Sequence, residues 1–204
     1  MDGLENLHNA LDKGKGKGKG VILLSAHFTC LEIGARLLAM HQPYCAIYKS
    51  SKNPLYEAML KRSRELHITR AIKRQDIRSF IKILKENNAV WYAPDRDFGL
   101  SYSVFAPIRG IMAATLTAPA RIAKMSGALV VHFLTQRLDE NKGYKLTILP
   151  ALDNFPVGDE VQDARRINEV IETQVKKAPE QYLWAHTRFK TRPEGESPIY
   201  PERK

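Results

Sequence analysis

Long apolar stretches and clustered cysteines are both missing from this chain. No segment approaches the roughly 20 consecutive apolar residues that span a bilayer, and the amino terminus lacks the hydrophobic core of a secretory signal. The two cysteines, Cys30 and Cys45, are too few for a disulfide framework and lack metal-binding spacing. We therefore expect a protein that is soluble or peripheral to a membrane, faces the cytosol and has no structural zinc.

Negative charge is scarce. Asp and Glu number 22 against 32 Lys and Arg, which leaves a formal net charge of +10. Such an excess favours an anionic partner, whether phosphate, an acidic protein, nucleic acid or an anionic membrane surface, and charge alone does not choose among them. With 204 residues, 44% of them hydrophobic, the chain is long enough for one sizeable core and predicts a single domain.

Residues 1–20 are rich in lysine and glycine and end in GKGKGKGKG. This run lacks the Gly-Lys-Ser/Thr ending of a phosphate-binding P-loop, so we interpret it as a flexible, solvated lead-in without a specific ligand. The predicted organisation is a lead-in over 1–20, a folded domain over 21–195 and a basic tail over 196–204.

Apolar strand patterns alternate with amphipathic helix patterns along the remaining chain. Strands are predicted at 21–24, 44–48, 89–93, 129–134 and 144–149. Five helices are predicted. The first follows His27 and ends near residue 40, the second begins at residue 54 and the third at residue 77. The fourth covers 111–125 with a kink or restart at Pro119, and the fifth lies around 168–175. Such alternation predicts an α/β fold with a mainly parallel sheet flanked by helices, whose sites gather at the carboxyl ends of strands.

His27 follows the first predicted strand, and Glu32 lies five positions later. Five residues of continuous helix turn about 500°, which puts two side chains on different faces, so His27 and Glu32 can meet only if the helix begins after His27. A carboxylate that orients an imidazole makes a general base. By itself the pair is also compatible with an incidental pairing, because Glu32 suits the positive end of a helix dipole.

Four segments together resemble a known family: HFTCLEIGAR, WYAPDRDFG, SVFAPIRGIMAAT and APEQYLWAHTRFKTRPEG. In order and spacing they are similar to the lauroyl/myristoyl lipid A biosynthesis acyltransferases of Gram-negative bacteria, over about residues 21–195. The resemblance implies a glycerolipid-acyltransferase-like fold at the cytoplasmic face of the inner membrane. It also implies transfer of a fatty acyl chain from acyl carrier protein to a 3-hydroxyacyl hydroxyl of a Kdo-bearing lipid A precursor, in lipopolysaccharide biosynthesis, with no metal or other cofactor.

The same resemblance implies roles for individual residues. His27 deprotonates the acceptor hydroxyl and Glu32 orients it, while Arg64 and Asp95 fall on further site positions. Lys49 stands where close relatives often carry arginine. Lysine keeps the charge but loses the bidentate fork, so we expect a weaker phosphate or carboxylate contact there.

The residues alone leave several alternatives open. Arg64 suits a stabiliser of developing charge, a phosphate ligand or a solvated helix charge. Asp95 and Asp97 lack a third metal ligand, so we interpret Asp95 as a loop organiser that pairs with a basic residue. Cys30 is typical of a small core residue rather than a nucleophile.

Aromatic and basic residues mix in the segment from Trp184 to Arg192. This segment fits a core tryptophan with a solvated charged tail, or a surface that meets lipid headgroups. It also fits single-stranded nucleic acid, which we do not expect because the basic residues are dispersed and no binding motif is present. A glycerolipid acyltransferase and a truncated, inactive relative that binds lipids or anions remain the alternative functions.

Overall fold

A computed structural model describes residues 1–201 of the chain. The helices are α1 (Leu4–Gly14), α2 (Leu31–Ala39), α3 (Pro54–Glu65), α4 (Ile77–Lys85), α5 (Ala118–Ser126) and α6 (Glu160–Lys177). The strands are β1 (Val21–Leu24), β2 (Cys45–Tyr48), β3 (Arg70–Lys73), β4 (Ala89–Tyr92), β5 (Ser103–Ile108), β6 (Ile111–Leu116), β7 (Leu129–Arg137) and β8 (Tyr144–Ala151). Two 3₁₀ turns follow, at Pro179–Gln181 and Trp184–His186.

Six strands form one sheet in the order β3-β2-β4-β1-β7-β8. Neighbouring strands pair in parallel except β8, which runs antiparallel to β7. The fold is therefore α/β with a mainly parallel sheet flanked by helices, as the alternating pattern predicted. Strand β3 was not predicted, because it is a short strand at the edge of the sheet whose end residues are exposed.

Strand β1 is buried along its whole length because helices cover both faces of the sheet. Its alternate side chains enter two different clusters: Ile22 and Leu24 pack on one face, and Val21 and Leu23 on the other. Helices α1 and α2 contribute to the second cluster, and α4, α5 and α6 to the first. A continuous apolar run is what a strand covered on both faces requires.

The parallel pairing of β1 with β4 creates the position of the site. Leu24 and Tyr92, the last residues of these strands, are direct partners in the register. His27 and Asp95 each lie three residues beyond these ends. Two loops that leave adjacent parallel strands at the same edge bring their side chains together.

The predicted helix over 111–125 is wrong before residue 118, whereas the restart expected near Pro119 is present as α5. Before residue 118, strands β5 and β6 form an antiparallel hairpin, turning at Arg109 and Gly110, both with positive φ, as a two-residue hairpin turn of type I′ requires. Helix α5 begins only at Ala118, so Pro119 lies in its first turn, where the missing N–H costs nothing. Periodicity misled here because the hairpin is apolar on both faces.

The interpretation of residues 1–20 as a flexible lead-in is also wrong. Leu7 and Ala10 of α1 are buried, and the backbone of Asp2 hydrogen-bonds to β8. Gly14 permits close backbone approach, since an added Cβ would lie 1.6 Å from the Lys19 carbonyl oxygen. The glycines thus allow a tight turn, which a count of lysine and glycine does not reveal.

The domain boundaries at 21, 195 and 196 stay predictions, and residues 202–204 of the predicted tail lie outside the described residues. Within residues 1–201, none of the helices combines the length and apolarity that crossing a bilayer demands.

Candidate active site

The centre of the site is a hydrogen-bonded pair formed by His27 and Asp95. Oδ1 of Asp95 lies 2.5 Å from Nδ1 of His27. Its other oxygen, Oδ2, accepts a hydrogen bond of 2.8 Å from the backbone N–H of His27. The carboxylate therefore holds both the main chain and the ring of the same residue.

Asp95 is ionised in this arrangement. It is 2% exposed, and burial by itself opposes ionisation, but the hydrogen bonds and charge of His27 outweigh burial and lower the pKa of the Asp95 carboxyl. An ionised carboxylate only accepts hydrogen bonds, so Nδ1 of His27 carries the proton and Nε2 has a free lone pair. This is the tautomer that a general base needs.

No hydrogen bond joins Glu32 to His27 within the described residues. Glu32 lies in the first turn of α2, as predicted, but its side chain is 76% exposed and its Oε1 lies 3.8 Å from a guanidinium nitrogen of Arg64. Asp95 makes the contact with the His27 ring that was expected of Glu32, because the ring faces the neighbouring strand end rather than the helix that follows it. Asp95 was predicted to pair with a basic residue, and in the structure that residue is His27.

A cavity of about 360 Å³ opens beside His27. Four of the five predicted site residues line it: His27, Glu32, Lys49 and Arg64. The fifth, Asp95, lies behind the ring of His27. The structure therefore brings the predicted residues to one place, although in pairs other than those expected.

Arg64 is not a solvated helix charge. Its guanidinium carbon lies 5.5 Å from the centre of the Tyr48 ring, and its side chain is 32% exposed. The hydroxyl of Tyr48 donates to Glu57, and burial, followed by this hydrogen bond, raises the pKa of Tyr48 to about 12. Arg64 is thus held over a neutral aromatic ring at the cavity wall.

A second cavity, of about 640 Å³, shares His27, Ile47, Tyr48, Lys49 and Trp91 with the first. Its other lining residues include the apolar side chains of Leu116, Ile122 and Met125. Lys49 lines both cavities, is exposed, and forms no ion pair with any residue from 1 to 201. The two cavities adjoin along these five shared residues, and His27 is one of them.

A further residue, which the sequence did not single out for catalysis, contacts His27. The ring centre of His186 lies 4.7 Å from that of His27, with 73° between the ring planes. The two residues are 159 positions apart, so no local spacing could have shown the contact. The only signal was the position of His186 within the WAHTRFK segment that carries the resemblance.

The segment from Trp184 to Arg192 is neither a core tryptophan with a solvated tail nor a wholly exposed surface. Trp184 is 44% exposed, whereas Arg188 is 1% exposed. Arg188 donates 2.6 Å to the Ala114 carbonyl and 2.8 Å to the Thr115 hydroxyl. Nearby, Asp97 accepts hydrogen bonds from the N–H and hydroxyl of Thr191, which ties this segment to the loop that carries Asp95.

Cys30 is a core residue, as the sequence indicated. It is 4% exposed, burial raises the pKa of its thiol, and its Sγ lies 3.4 Å from the Thr135 carbonyl. As for metal binding, residues 1–201 contain no cluster of three or more His, Cys, Asp or Glu side chains suited to hold an ion.

Comparison with known proteins identifies the family. The family model described as bacterial lipid A biosynthesis acyltransferase matches residues 1–191. The chain belongs to this family. Among similar curated proteins of Escherichia coli (strain K12), the lipid A biosynthesis lauroyltransferase is 41% identical over 87% of the chain and 58% of its own length. The lipid A biosynthesis palmitoleoyltransferase is 38% identical over 98% of the chain and 64% of its own length. The lipid A biosynthesis myristoyltransferase is 33% identical over 88% of the chain and 56% of its own length.

Family membership confirms the resemblance found in the four segments. The chain spans 58% and 64% of the lengths of the first two relatives. The site described above lies within the region that the family model matches. Family membership therefore covers the residues of the candidate site.

Proposed function

We propose that this protein transfers a fatty acyl chain from the thioester of acyl carrier protein to a 3-hydroxyacyl hydroxyl of a Kdo-bearing lipid A precursor. The observation that carries this proposal is the His27–Asp95 pair, placed where two cavities meet. Family membership supports the reaction class, and the names of the relatives support fatty acyl donors and lipid A acceptors.

The geometry supplies a base for the acceptor hydroxyl. Nε2 of His27 takes the hydroxyl proton as the oxygen attacks the thioester carbonyl, so that a C–O bond forms. The C–S bond then breaks, and the thiol leaves with the proton returned from the imidazolium. Asp95 stabilises the imidazolium between these steps, because its charge lies 2.5 Å from Nδ1.

Negative charge develops on the carbonyl oxygen during this attack. Arg64 and Lys49 are the cations that line the first cavity together with Arg36, and a fixed positive charge in a site shielded from water lowers the energy of such an oxyanion. We assign this role to Arg64, since Tyr48 and Glu32 hold its side chain. Lys49 lines both cavities and suits an anionic group of either substrate.

Long apolar chains require a dry groove. Burial of each methylene contributes roughly 0.8 kcal/mol, and the second cavity provides Leu116, Ile122 and Met125 for such contacts. The net charge of +10 suits an acidic carrier protein and the anionic surface of the inner membrane, with which we propose peripheral association at the cytoplasmic face.

An acyl-transfer assay tests the function. Acyl carrier protein loaded with chains of several lengths is mixed with a Kdo-bearing lipid A precursor, and mass spectrometry measures the product for the wild-type protein and His27→Ala. We expect one added acyl group with the wild type and none above background with the variant. Acylation of a lysophospholipid or glycerol 3-phosphate instead would identify a glycerolipid acyltransferase, and a folded wild-type protein without product would favour an inactive lipid- or anion-binding relative.

A further inference from the structure

The plane of the His27 ring is held by more than one contact. Asp95 fixes only the Nδ1 edge of the imidazole. The torsion that sets the plane of a histidine ring joins an sp³ to an sp² carbon and has broad preferences, so a hydrogen bond at one edge leaves the ring free to tilt. An edge-to-face contact on the ring restricts that tilt. His186 makes this contact, with ring centres 4.7 Å apart and planes at 73°.

The backbone fixes the position of His186 relative to His27. A segment that we call the C-terminal strap, residues 178–189, runs beside the His27 loop. The N–H of Leu183 donates 2.9 Å to the carbonyl of His27, and the N–H of Thr29 donates 2.8 Å to the carbonyl of Gln181. Phe28 and Tyr182 form an antiparallel bridge between these bonds. Both histidines therefore belong to one hydrogen-bonded frame.

The Nδ1 atom of His186 has no polar partner within the described residues. This atom is buried and forms no hydrogen bond within residues 1–201. Phenylalanine at this position would keep the ring contact with His27 and avoid the cost, on the order of 1–3 kcal/mol, of a buried polar atom without a partner. The structure thus holds an imidazole at a position where it contributes no hydrogen bond through Nδ1.

Burial, assisted by nearby positive charges, lowers the pKa of His186 and favours its neutral form. Burial is the largest influence lowering the pKa of His186, followed by the positive charges of His27 and Arg96, and Asp95 acts in the opposite direction. A neutral ring leaves the proton on His27 and places no second positive charge beside the imidazolium.

We propose that His186 is a positioning residue that sets the ring plane of His27, so that Nε2 is directed at the acceptor hydroxyl. This inference rests on the proposed function, in which His27 is the base. His186 acts through His27 and touches neither substrate, and it accounts for the placement of the C-terminal strap against the first loop of the site.

Three variants test the role of the ring. His186→Ala removes the contact, His186→Phe keeps an aromatic ring without nitrogen atoms, and His186→Gln keeps polarity without a ring. We expect His186→Ala to lower kcat on the order of 10- to 100-fold, with KM for both substrates within about twofold, because a misaligned base impairs the chemical step rather than binding. His186→Phe should recover kcat to within about fivefold of wild type, and His186→Gln should resemble His186→Ala.

Trp184→Ala is the matched control for damage to the strap. Trp184 packs on Tyr182 in the same segment and hydrogen-bonds to the Pro179 carbonyl. Within the described residues, neither a hydrogen bond nor a ring–ring contact joins it to His27. Its loss should lower thermal stability at least as much as His186→Ala and leave kcat within about threefold of wild type. Equal loss of kcat in the two variants would make the role of His186 purely structural and overturn the proposal.

A measurement on the imidazole separates this proposal from the proposed function. In ¹⁵N-labelled protein, long-range nitrogen–proton spectra should show His27 in the single Nδ1–H tautomer with sharp signals in the wild type and His186→Phe, and broadened or averaged signals in His186→Ala. If the wild type lacks acyltransferase activity but the spectra change as stated, the proposed function fails and the positioning contact stands. If the His27 signals and kcat are unchanged in His186→Ala, or if glutamine rescues and phenylalanine does not, the positioning role is overturned.

Discussion

Glu32 on α2 and Arg64 on α3 form an ion pair of 3.8 Å that joins the two helices lining the first cavity. Glu32 is largely exposed, so the pair contributes little to the stability of the fold. The pair instead restrains the side chain of Arg64, to which we assign stabilisation of the oxyanion.

This pair predicts coupled effects on activity. Glu32→Gln should leave thermal stability within about 1 kcal/mol of wild type and lower kcat at least about tenfold, because Arg64 loses a restraint. Arg64→Ala should lower kcat further, and the double variant should resemble Arg64→Ala alone. Steady-state kinetics of the four proteins measure the coupling. If the fold-decrease in kcat of the double variant equals the product of the two single decreases, Glu32 does not act through Arg64.

Two buried carboxylates of one loop should respond differently to the same substitution. Asp95→Asn removes the charge that stabilises the imidazolium and offers an amide that favours the wrong tautomer of His27, so kcat should fall by a factor on the order of 10⁴. Asp97→Asn weakens the bonds to Thr191, so its main effect should be a lower Tm with kcat within about tenfold of wild type. Kinetics and thermal unfolding measured on both variants check this. Similar kcat values for the two variants would refute the separate roles.

His132 in β7 makes stability depend on pH. It is 1% exposed, and burial lowers its pKa from 6.5 to about 3. Below pH 6.5 the unfolded chain binds a proton that the folded chain does not, so the contribution of the neutral imidazole is complete above pH 6.5 and is lost as pH falls toward 3, at about 1.4 kcal/mol per pH unit.

The test compares the wild type with His132→Phe, which cannot titrate. Chemical unfolding at a series of pH values should show a shallower decline of the free energy of unfolding for the variant within this window. Because the readout is a slope, a difference in absolute stability between the two proteins does not affect it. Parallel curves would show that His132 is protonated in the folded state.

The second cavity should limit the length of the acyl chain. Leu116→Trp adds volume at its wall, so we expect the longest accepted chain to shorten, with about fourfold lower kcat/KM for each methylene that no longer fits. Val161→Trp at an exposed position of α6 is the matched control and should leave the profile unchanged. Competition assays with mixed acyl carrier protein thioesters measure the preference. An unaltered chain-length preference in Leu116→Trp would show that the acyl chain binds outside the second cavity.

The excess of positive charge predicts salt-sensitive binding to anionic lipid. The protein should sediment with phosphatidylglycerol vesicles at low ionic strength and be released as salt shortens the Debye length toward about 8 Å. Vesicles of phosphatidylcholine are the control. Equal binding to both kinds of vesicle would rule out an electrostatic mode of association.

Much of the architecture follows from local patterns. The apolar run Val21–Leu24 predicts a buried strand because both faces of β1 are covered, and Asn53 and Asp76 cap α3 and α4 through their side chains. These signals depend on neighbours within a few positions, where the chain itself enforces proximity. Composition misleads where glycines permit close backbone approach, as between α1 and β1. Periodicity misleads in the β5–β6 hairpin, whose strands are apolar at nearly every position.

The amino-acid sequence by itself determined that His27 follows a buried strand, that Glu32 begins the next helix, and that a carboxylate near His27 would make it a base. Only the tertiary structure decided which carboxylate this is, because the contact between His27 and Asp95 depends on β1 pairing in parallel with β4, a choice made by the packing of the whole sheet. The contact with His186 likewise depends on the strap returning across the His27 loop. Residues 68 or 159 positions apart share no local geometry, so their meeting is a property of the folded core.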